Sequence, residues 1–348
     1  MLNNKTVILG SGLTGLLIGY ELQKRNIPFT ILEARGRLGG RIHTDTSHTP
    51  MDLGATWVFG QHTQMQALIK ELGLTVFEQV YGETAFYEPN SAAPHQLVQL
   101  PQQDASYRIV NGTSSITEAL AKGINPGNIK LNTVVSELDF SENSVSIKTK
   151  GGETFQGSRV INTLPPTLFQ HAIVTKPTLP VEFLHVASNT HTWMGESIKI
   201  GFSYTSPFWR APQSCGTVLS NVGPVTEMYE HSTADSKQHA LKGFFHSAYH
   251  KHTKEERKEL ALTQLEKYYG PQARNYLDYH ETVWQKEAFT FARPIDQIPP
   301  HYNNGHQCFK QSYFENRLYF AGAETNAEFP GYMEGAVRSA YRVVNVIG

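Results

Sequence analysis

The 348 residues carry 30 Lys plus Arg against 31 Asp plus Glu, a formal net charge of -1, with 39% hydrophobic and 18% charged residues. That balance suits a globular chain of about two domains and excludes a disordered polymer or a binder that relies on charge to hold nucleic acid. The 2 cysteines, Cys215 and Cys308, stand far apart, so no disulfide framework or thiolate zinc site is expected and a reducing, cytoplasmic compartment is the simplest reading.

The opening is the most informative segment. Thr6–Leu9 reads as a buried strand, Gly10-Ser11-Gly12-Leu13-Thr14-Gly15 as a turn, the apolar run to about Lys24 as a helix, and residues 28–32 as a second strand. The run is interrupted by glycines and no cleavage pattern follows, so it reads as folded protein and not as a leader. Such a unit brings a backbone turn close to a pyrophosphate at a helix N-terminus, where free N–H groups and the dipole favour anions. Glu33 ends the second strand at the distance where a carboxylate accepts hydrogen bonds from an adenosine ribose, and its charge disfavours a 2′-phosphate. FAD and NAD both fit at this point; a tight strand–helix connection without ligand is the alternative. Arg35-Gly36-Arg37-Leu38-Gly39-Gly40-Arg41 then forms a second glycine-rich turn, which a nicotinamide-only domain does not need. It reads as a loop closing on the pyrophosphate with guanidinium groups available for phosphate, or as a basic surface loop.

Further along, a helix is expected at 63–72 and irregular or hairpin structure at 81–107, with Pro89, Pro94 and Pro101. Asn111-Gly112-Thr113-Ser114-Ser115 reads as a turn and cap for a helix to about Lys122. Strands are expected at 129–138, 144–150 and 159–162, with a hairpin at Lys150-Gly151-Gly152-Glu153 and a domain crossing at Leu164-Pro165-Pro166. Strands at 196–204 and 216–219 precede a charged helix at 254–269, whose mixed signs suggest a solvated face. In the first of these, Ile198, Ile200 and Phe202 share one face and Lys199 the other, so periodicity alone makes Lys199 a solvent-facing lysine. A short strand at 318–321, a loop at 322–330 and a helix at 332–344 close the chain. His246, His250 and His252 invite a metal reading, but no carboxylate or cysteine cluster accompanies them and no metal is expected. No apolar run reaches the roughly 18 residues of a membrane span, so a membrane is not an expected partner, and the balanced charge makes nucleic acid none either.

Three separated blocks resemble the flavin-dependent amine oxidases, the family of monoamine oxidases, polyamine oxidases and histone lysine demethylases. They are Gly10 to Arg41 continuing to Asp52-Leu53-Gly54-Ala55-Thr56-Trp57; Ser197-Ile198-Lys199 through Pro207-Phe208-Trp209-Arg210; and Arg317 to Gly322 with Gly331-Tyr332-Met333-Glu334-Gly335-Ala336-Val337. Weaker similarity links them over nearly the whole chain. The resemblance implies FAD, contacted by Gly10, Gly12, Leu13, Thr14, Gly15, Glu33, Ala34, Arg35, Gly39, Gly40 and Arg41, then Gly54, Ala55, Thr56, Trp57 and Val135, and finally Gly322, Glu324, Tyr332 and Met333. Glu324 matches a position near the ribityl and phosphate portion, with a plain loop carboxylate as its alternative. Lys199 matches the lysine that holds a water against flavin N5 and assists reoxidation by dioxygen. Tyr332 matches one wall of an aromatic cage, and Trp284 stands with them near the flavin edge. The helix N-terminus beside Tyr332 would stabilise negative charge near N1 and the C2 carbonyl.

The chain also departs from the family pattern. Where the second cage tyrosine is expected stands Pro294, and the position that carries a flavin-linking cysteine in monoamine oxidases is Arg293. Non-covalent FAD is therefore expected, with Phe289 or Phe291 as a replacement ring. The interval 81–109 lacks the family's long helical insertion, which implies an open cavity for a bulkier substrate, or one completed by a second subunit in a homodimer.

The expected fold is α/β, a doubly wound, Rossmann-like FAD-binding domain from 1–76, 113–188 and 287–348, with a smaller mixed sheet-plus-helix substrate domain from 77–112 and 189–286. The expected reaction is oxidative deamination of a small-molecule amine by hydride transfer to flavin N5, with dioxygen as acceptor giving hydrogen peroxide. The alternatives are a related flavin dehydrogenase or desaturase with another acceptor, and a non-catalytic flavin-binding partner protein.

Overall fold

Thr6–Leu9 is buried at every position and pairs in parallel with Phe29–Leu32 on one side and Arg159–Asn162 on the other. The computed structural model describes residues 5–211, 215–292 and 298–348. A near-continuous apolar run is what a strand covered on both faces requires. Ile129–Lys130 and Leu318–Phe320 extend this sheet at its two edges, so segments distant in sequence build one parallel layer.

The helices, in chain order, are α1 (Leu13–Lys24), α2 (Thr63–Glu71), α3 (Ser114–Lys122), α4 (Pro166–Ala172), α5 (Val181–Ser188), α6 (Lys254–Tyr269) and α7 (Met333–Ile347). Leu16, Leu17 and Ile18 of α1, Leu68 of α2, Leu120 of α3 and Val337 and Val344 of α7 are fully buried in one core on one face of the parallel sheet. On the other face Val7 and Leu9 pack with Phe169 of α4 and Phe183 of α5. Each such side chain contributes roughly 1.5–3 kcal/mol by leaving water.

A mixed seven-stranded sheet forms the second layer, in the order 276–283, 198–204, 239–245, 225–230, 218–220, 84–88, 96–99. Only the 84–88 and 218–220 strands run parallel; the other neighbours are antiparallel. Helix α6 covers one face with Ala261, Leu262 and Leu265.

Several sequence expectations change. The single strand at 129–138 is two strands in different sheets, because Asn132 takes φ 55° and turns the chain; its N–H donates to the Arg35 carbonyl. The prolines at 165–166 mark no crossing: they start α4, which stays against the parallel sheet. The 84–88 and 96–99 hairpin joins the large sheet. Strands at 225–230, 239–245 and 276–283 were not foreseen, since their polar and apolar residues do not alternate cleanly. The charged run opening α6 is not all solvated: Arg257 is buried and paired to Glu281.

Candidate active site

Where the first strand ends, Gly10 takes φ +95°, and a Cβ at Gly15 would lie 2.0 Å from the Gly10 carbonyl oxygen. Only glycine lets helix α1 start this close to the strand, and its first turn then opens onto a cavity of about 760 Å³. The cavity lies between the C-terminal ends of the parallel strands and one face of the seven-stranded sheet. Most of the sequence-selected residues meet here. Gly10, Gly12, Leu13, Thr14, Glu33 and Ala34 line the end by the first turn, with Arg35, Gly39, Gly40, Arg41 and Val135 beside them. Gly54, Ala55, Thr56 and Trp57 form a wall, and Gly322, Tyr332 and Met333 line the part nearest α7, with Lys199 and Trp284 opposite. Gly15 and Glu324 do not line it.

Glu33 is anchored, not loose. One carboxylate oxygen accepts the N–H and hydroxyl of Ser11 at 2.7 and 2.8 Å, and the other accepts the Arg35 N–H at 2.9 Å. These donors fix the carboxylate on the cavity wall and leave one acceptor site for a ligand hydroxyl.

The three arginines do different work from the free phosphate grips the sequence suggested. Arg35 donates to Glu287 at 3.0 Å and to Thr290 at 2.7 Å, pinning residues 287–290 across the cavity. Arg37 folds onto its own loop, donating to the Leu38 and Gly40 carbonyls. Arg41 lines the cavity and is held from behind by Glu324 through two hydrogen bonds of 2.5 and 2.8 Å. Glu324, 1% exposed, therefore acts through Arg41.

Lys199 is 5% exposed, so the solvent-facing reading from periodicity fails; the strand is buried along its whole length. Its amine donates to the Gly54 carbonyl at 2.5 Å and stands 4.7 Å from the Phe244 ring centroid and 5.8 Å from that of Trp57. Burial pushes it down to about 8, opposed by Asp52 and Glu227. Trp284 is buried with its indole N–H on the Leu53 carbonyl at 2.9 Å, bracing the same wall.

Tyr332 caps α7 without a side-chain hydrogen bond to it. Its ring centroid is 5.7 Å from that of His62 and 6.0 Å from that of Trp193. Phe289 and Phe291, the candidate replacement rings, line the cavity. Arg293 and Pro294 lie outside the described residues. Sequence reasoning missed Trp193, Glu227 and Phe244, which also line the cavity, because the strands bearing the last two were unread. It also missed Lys242, 1% exposed behind Trp57; a lone charge within Ala240-Leu241-Lys242-Gly243-Phe244 was the available signal. Among the described residues no group of three His, Cys, Asp or Glu side chains could hold a metal, and His246 instead caps the following turn. No helix among them is long and apolar enough to cross a membrane.

The model of the family described as flavin containing amine oxidoreductase matches residues 13–89 and 77–348. The chain belongs to this flavin-dependent amine oxidoreductase family. A relative from Dictyostelium discoideum, "Probable flavin-containing monoamine oxidase A", is 24% identical over 97% of this chain and 96% of its own. Amine oxidase [flavin-containing] B of Cavia porcellus is 30% identical over 69% of this chain, and the match spans only 48% of that longer relative. Among solved structures, a putrescine oxidase bound to putrescine superposes with TM-score 0.85 at 21% identity, covering 99% of this chain and 98% of the other. Cyclohexylamine oxidase from Brevibacterium oxydans superposes with TM-score 0.84 at 17% identity over the same shares. These likenesses establish the α/β fold, a parallel Rossmann-like sheet with a mixed second sheet.

As a flavin-dependent family member the chain needs room and donors for FAD, and its cavity supplies both. The volume falls in the roughly 300–1,000 Å³ range of cofactor sites. Glu33 suits a ribose hydroxyl, the start of α1 and Arg41 suit pyrophosphate, and the start of α7 lies where negative charge on a ring would be stabilised.

Proposed function

We propose that this protein is an FAD-dependent amine oxidase that deaminates a small-molecule amine, with dioxygen as acceptor and the flavin held without a covalent bond. The observation that carries the reading is the Lys199 amine, held on the cavity wall at the Gly54 carbonyl between the Phe244 and Trp57 rings. Bound flavin would supply the two-electron acceptor for the carbon beside the amine nitrogen and pass those electrons to dioxygen, giving hydrogen peroxide.

The chain's own groups bind, orient and adjust charge. Glu227, on the cavity wall and fixed by the Tyr229 hydroxyl at 2.8 Å, attracts an incoming ammonium. The ring faces of Tyr332, Trp57 and Phe244 favour the same cation and then orient the amine. Lys199, a cation below its titration near 8, favours the neutral amine that gives up its electrons and keeps positive charge where dioxygen is reduced. Non-covalent attachment is supported by the thiols: Cys215 and Cys308 are both buried away from the cavity lining.

The test is peroxide release from the FAD-loaded protein with a panel of primary, secondary and poly-amines, for wild type and Lys199→Met, with acid precipitation of the wild type. Amine-dependent peroxide that Lys199→Met cuts by about tenfold or more, with yellow colour in the acid supernatant, is expected. A panel without peroxide would remove the oxidase reading, and colour retained in the pellet would remove the non-covalent one.

A further inference from the structure

Two adjacent strands of the seven-stranded sheet each bury a lysine, Lys199 on Ile198–Tyr204 and Lys242 on His239–Phe245. Lys199 lines the cavity and Lys242 does not. The Lys242 amine donates to the Thr56 hydroxyl oxygen and lies 4.6 Å from the Trp57 ring centroid. Thr56 in turn donates to the Gly54 carbonyl at 3.2 Å, and that same carbonyl accepts from Lys199 at 2.5 Å. An amine–hydroxyl–carbonyl–amine chain therefore runs behind the cavity wall formed by Gly54 to Trp57. A buried amine with no ion-pair partner among the described residues is costly when charged.

We propose that Lys242 is a positioning residue for Lys199: through the Thr56 hydroxyl it orients the Gly54 carbonyl that holds the Lys199 amine at the cavity wall. The proposal rests on the reading of Lys199 as the flavin-facing cation.

The groups packed around Lys242 set the charge balance at the two amines. Lys199 lies on one neighbouring strand, and Glu227, Tyr229 and Glu230 lie on the other. Asp52 comes from the short Met51–Asp52 strand, Arg108 from Ser106–Ile109, and His231 from just past Glu230. The His231 Nε2 accepts the Asp52 N–H at 3.2 Å, so its ring is neutral, and burial with Arg108 holds it well below the usual histidine range. Asp52 spends its oxygens on Thr44 and Thr113 and is ion-paired to neither lysine. Burial, then Lys199, push Lys242 well below an ordinary lysine, whereas Lys199 titrates near 8 with Asp52 and Glu227 supporting its charge.

Nitrogen-15 NMR of the lysine side chains in the full chain as purified tests this, with the Lys199 signal assigned by its loss in Lys199→Met. The wild-type midpoint is expected near 8. Lys242→Met keeps the length of the side chain and removes the donor that polarises the Thr56 hydroxyl, so the Gly54 carbonyl accepts more strongly from Lys199 and the midpoint moves up by about half a pH unit. Thr56→Val cuts the link without emptying the site and moves it in the same direction. The double variant moves it no further than the larger single change, because both act through one chain, and Thr56→Ser leaves the midpoint in place. In FAD-loaded protein, the alkaline loss of reoxidation rate shifts by the same amount.

A midpoint unmoved by both Lys242→Met and Thr56→Val, or shifts that add in the double variant, would overturn the proposal. If Lys242→Met does not fold, Thr56→Val decides. Shifted midpoints in a protein whose flavin no amine reduces would sink the oxidase reading and leave the lysine pair standing; amine turnover with unmoved midpoints would do the reverse.

Discussion

Lys199 shows how a single side chain gains its chemistry from its surroundings. On a strand buried along its whole length it meets solvent only through the cavity, and its amine takes a carbonyl and two ring faces as neighbours. With its midpoint near 8, the ammonium is present at neutral pH and lost as pH rises through that value. Stopped-flow reoxidation of reduced flavin by air should accordingly slow on the alkaline side of about pH 8 in wild type. Lys199→Met should be slow, by about tenfold or more, at every pH, while anaerobic reduction by amine changes less. Glu33→Gln keeps the shape of the ribose-side anchor and removes its charge, so FAD should bind roughly 10- to 100-fold more weakly by equilibrium titration. The glycine turn and the place of Glu33 on the cavity wall were legible because a strand–turn–helix unit needs fixed residue types at a fixed spacing. The burial of Lys199 was not legible from alternation, which marks two faces and does not say whether the second is wet. Nor could sequence say that Arg35 is engaged with Glu287 and that Glu324 serves Arg41, since those partners lie far away in the chain.

At the scale of elements, helix ends are set by side chains both near and distant. Helix α6 begins with a capping box, in which Thr253 accepts the Glu256 N–H and Glu256 accepts the Thr253 N–H. This cap is a local feature, formed within four consecutive residues. Thr253→Ala should lower stability by about 1 kcal/mol in urea unfolding, without changing FAD affinity. Helix α2 has no side-chain cap of its own; Glu334, fully buried at the start of α7, accepts the N–H groups of Gln64 and Met65 and pairs with Arg338. Glu334→Ala should therefore cost more than the Thr253 change, about 1.5–3 kcal/mol, and weaken FAD binding by loosening the α7 end of the cavity. Such a cap joins residues about 270 positions apart, a distance at which spacing carries no information. The hidden strands at 225–245 belong to the same class, because their order in the sheet depends on neighbours and not on their own pattern.

Across the whole molecule, the parallel layer was legible from its apolar runs and glycine turn, whereas the seven-stranded sheet was legible only in part. Its interior carries the buried lysines, which tie the fold to pH. Between about 8 and the ordinary lysine value of 10.5, the unfolded chain binds a proton that folded Lys199 has released. Stability from this group consequently rises with pH through that window, and its full penalty is present below 8. Lys199→Met escapes the penalty, so its stability advantage over wild type in urea unfolding should be larger at pH 7 than at pH 10. The central claim, that a flavin in this cavity takes electrons from an amine, is tested most directly by anaerobic titration of the FAD-loaded protein with the amine panel, followed by admission of air. Bleaching of the flavin by at least one amine, reversed by air with peroxide release, is the expected result; a flavin that stays oxidised with every amine, yet is reduced by dithionite, would contradict it.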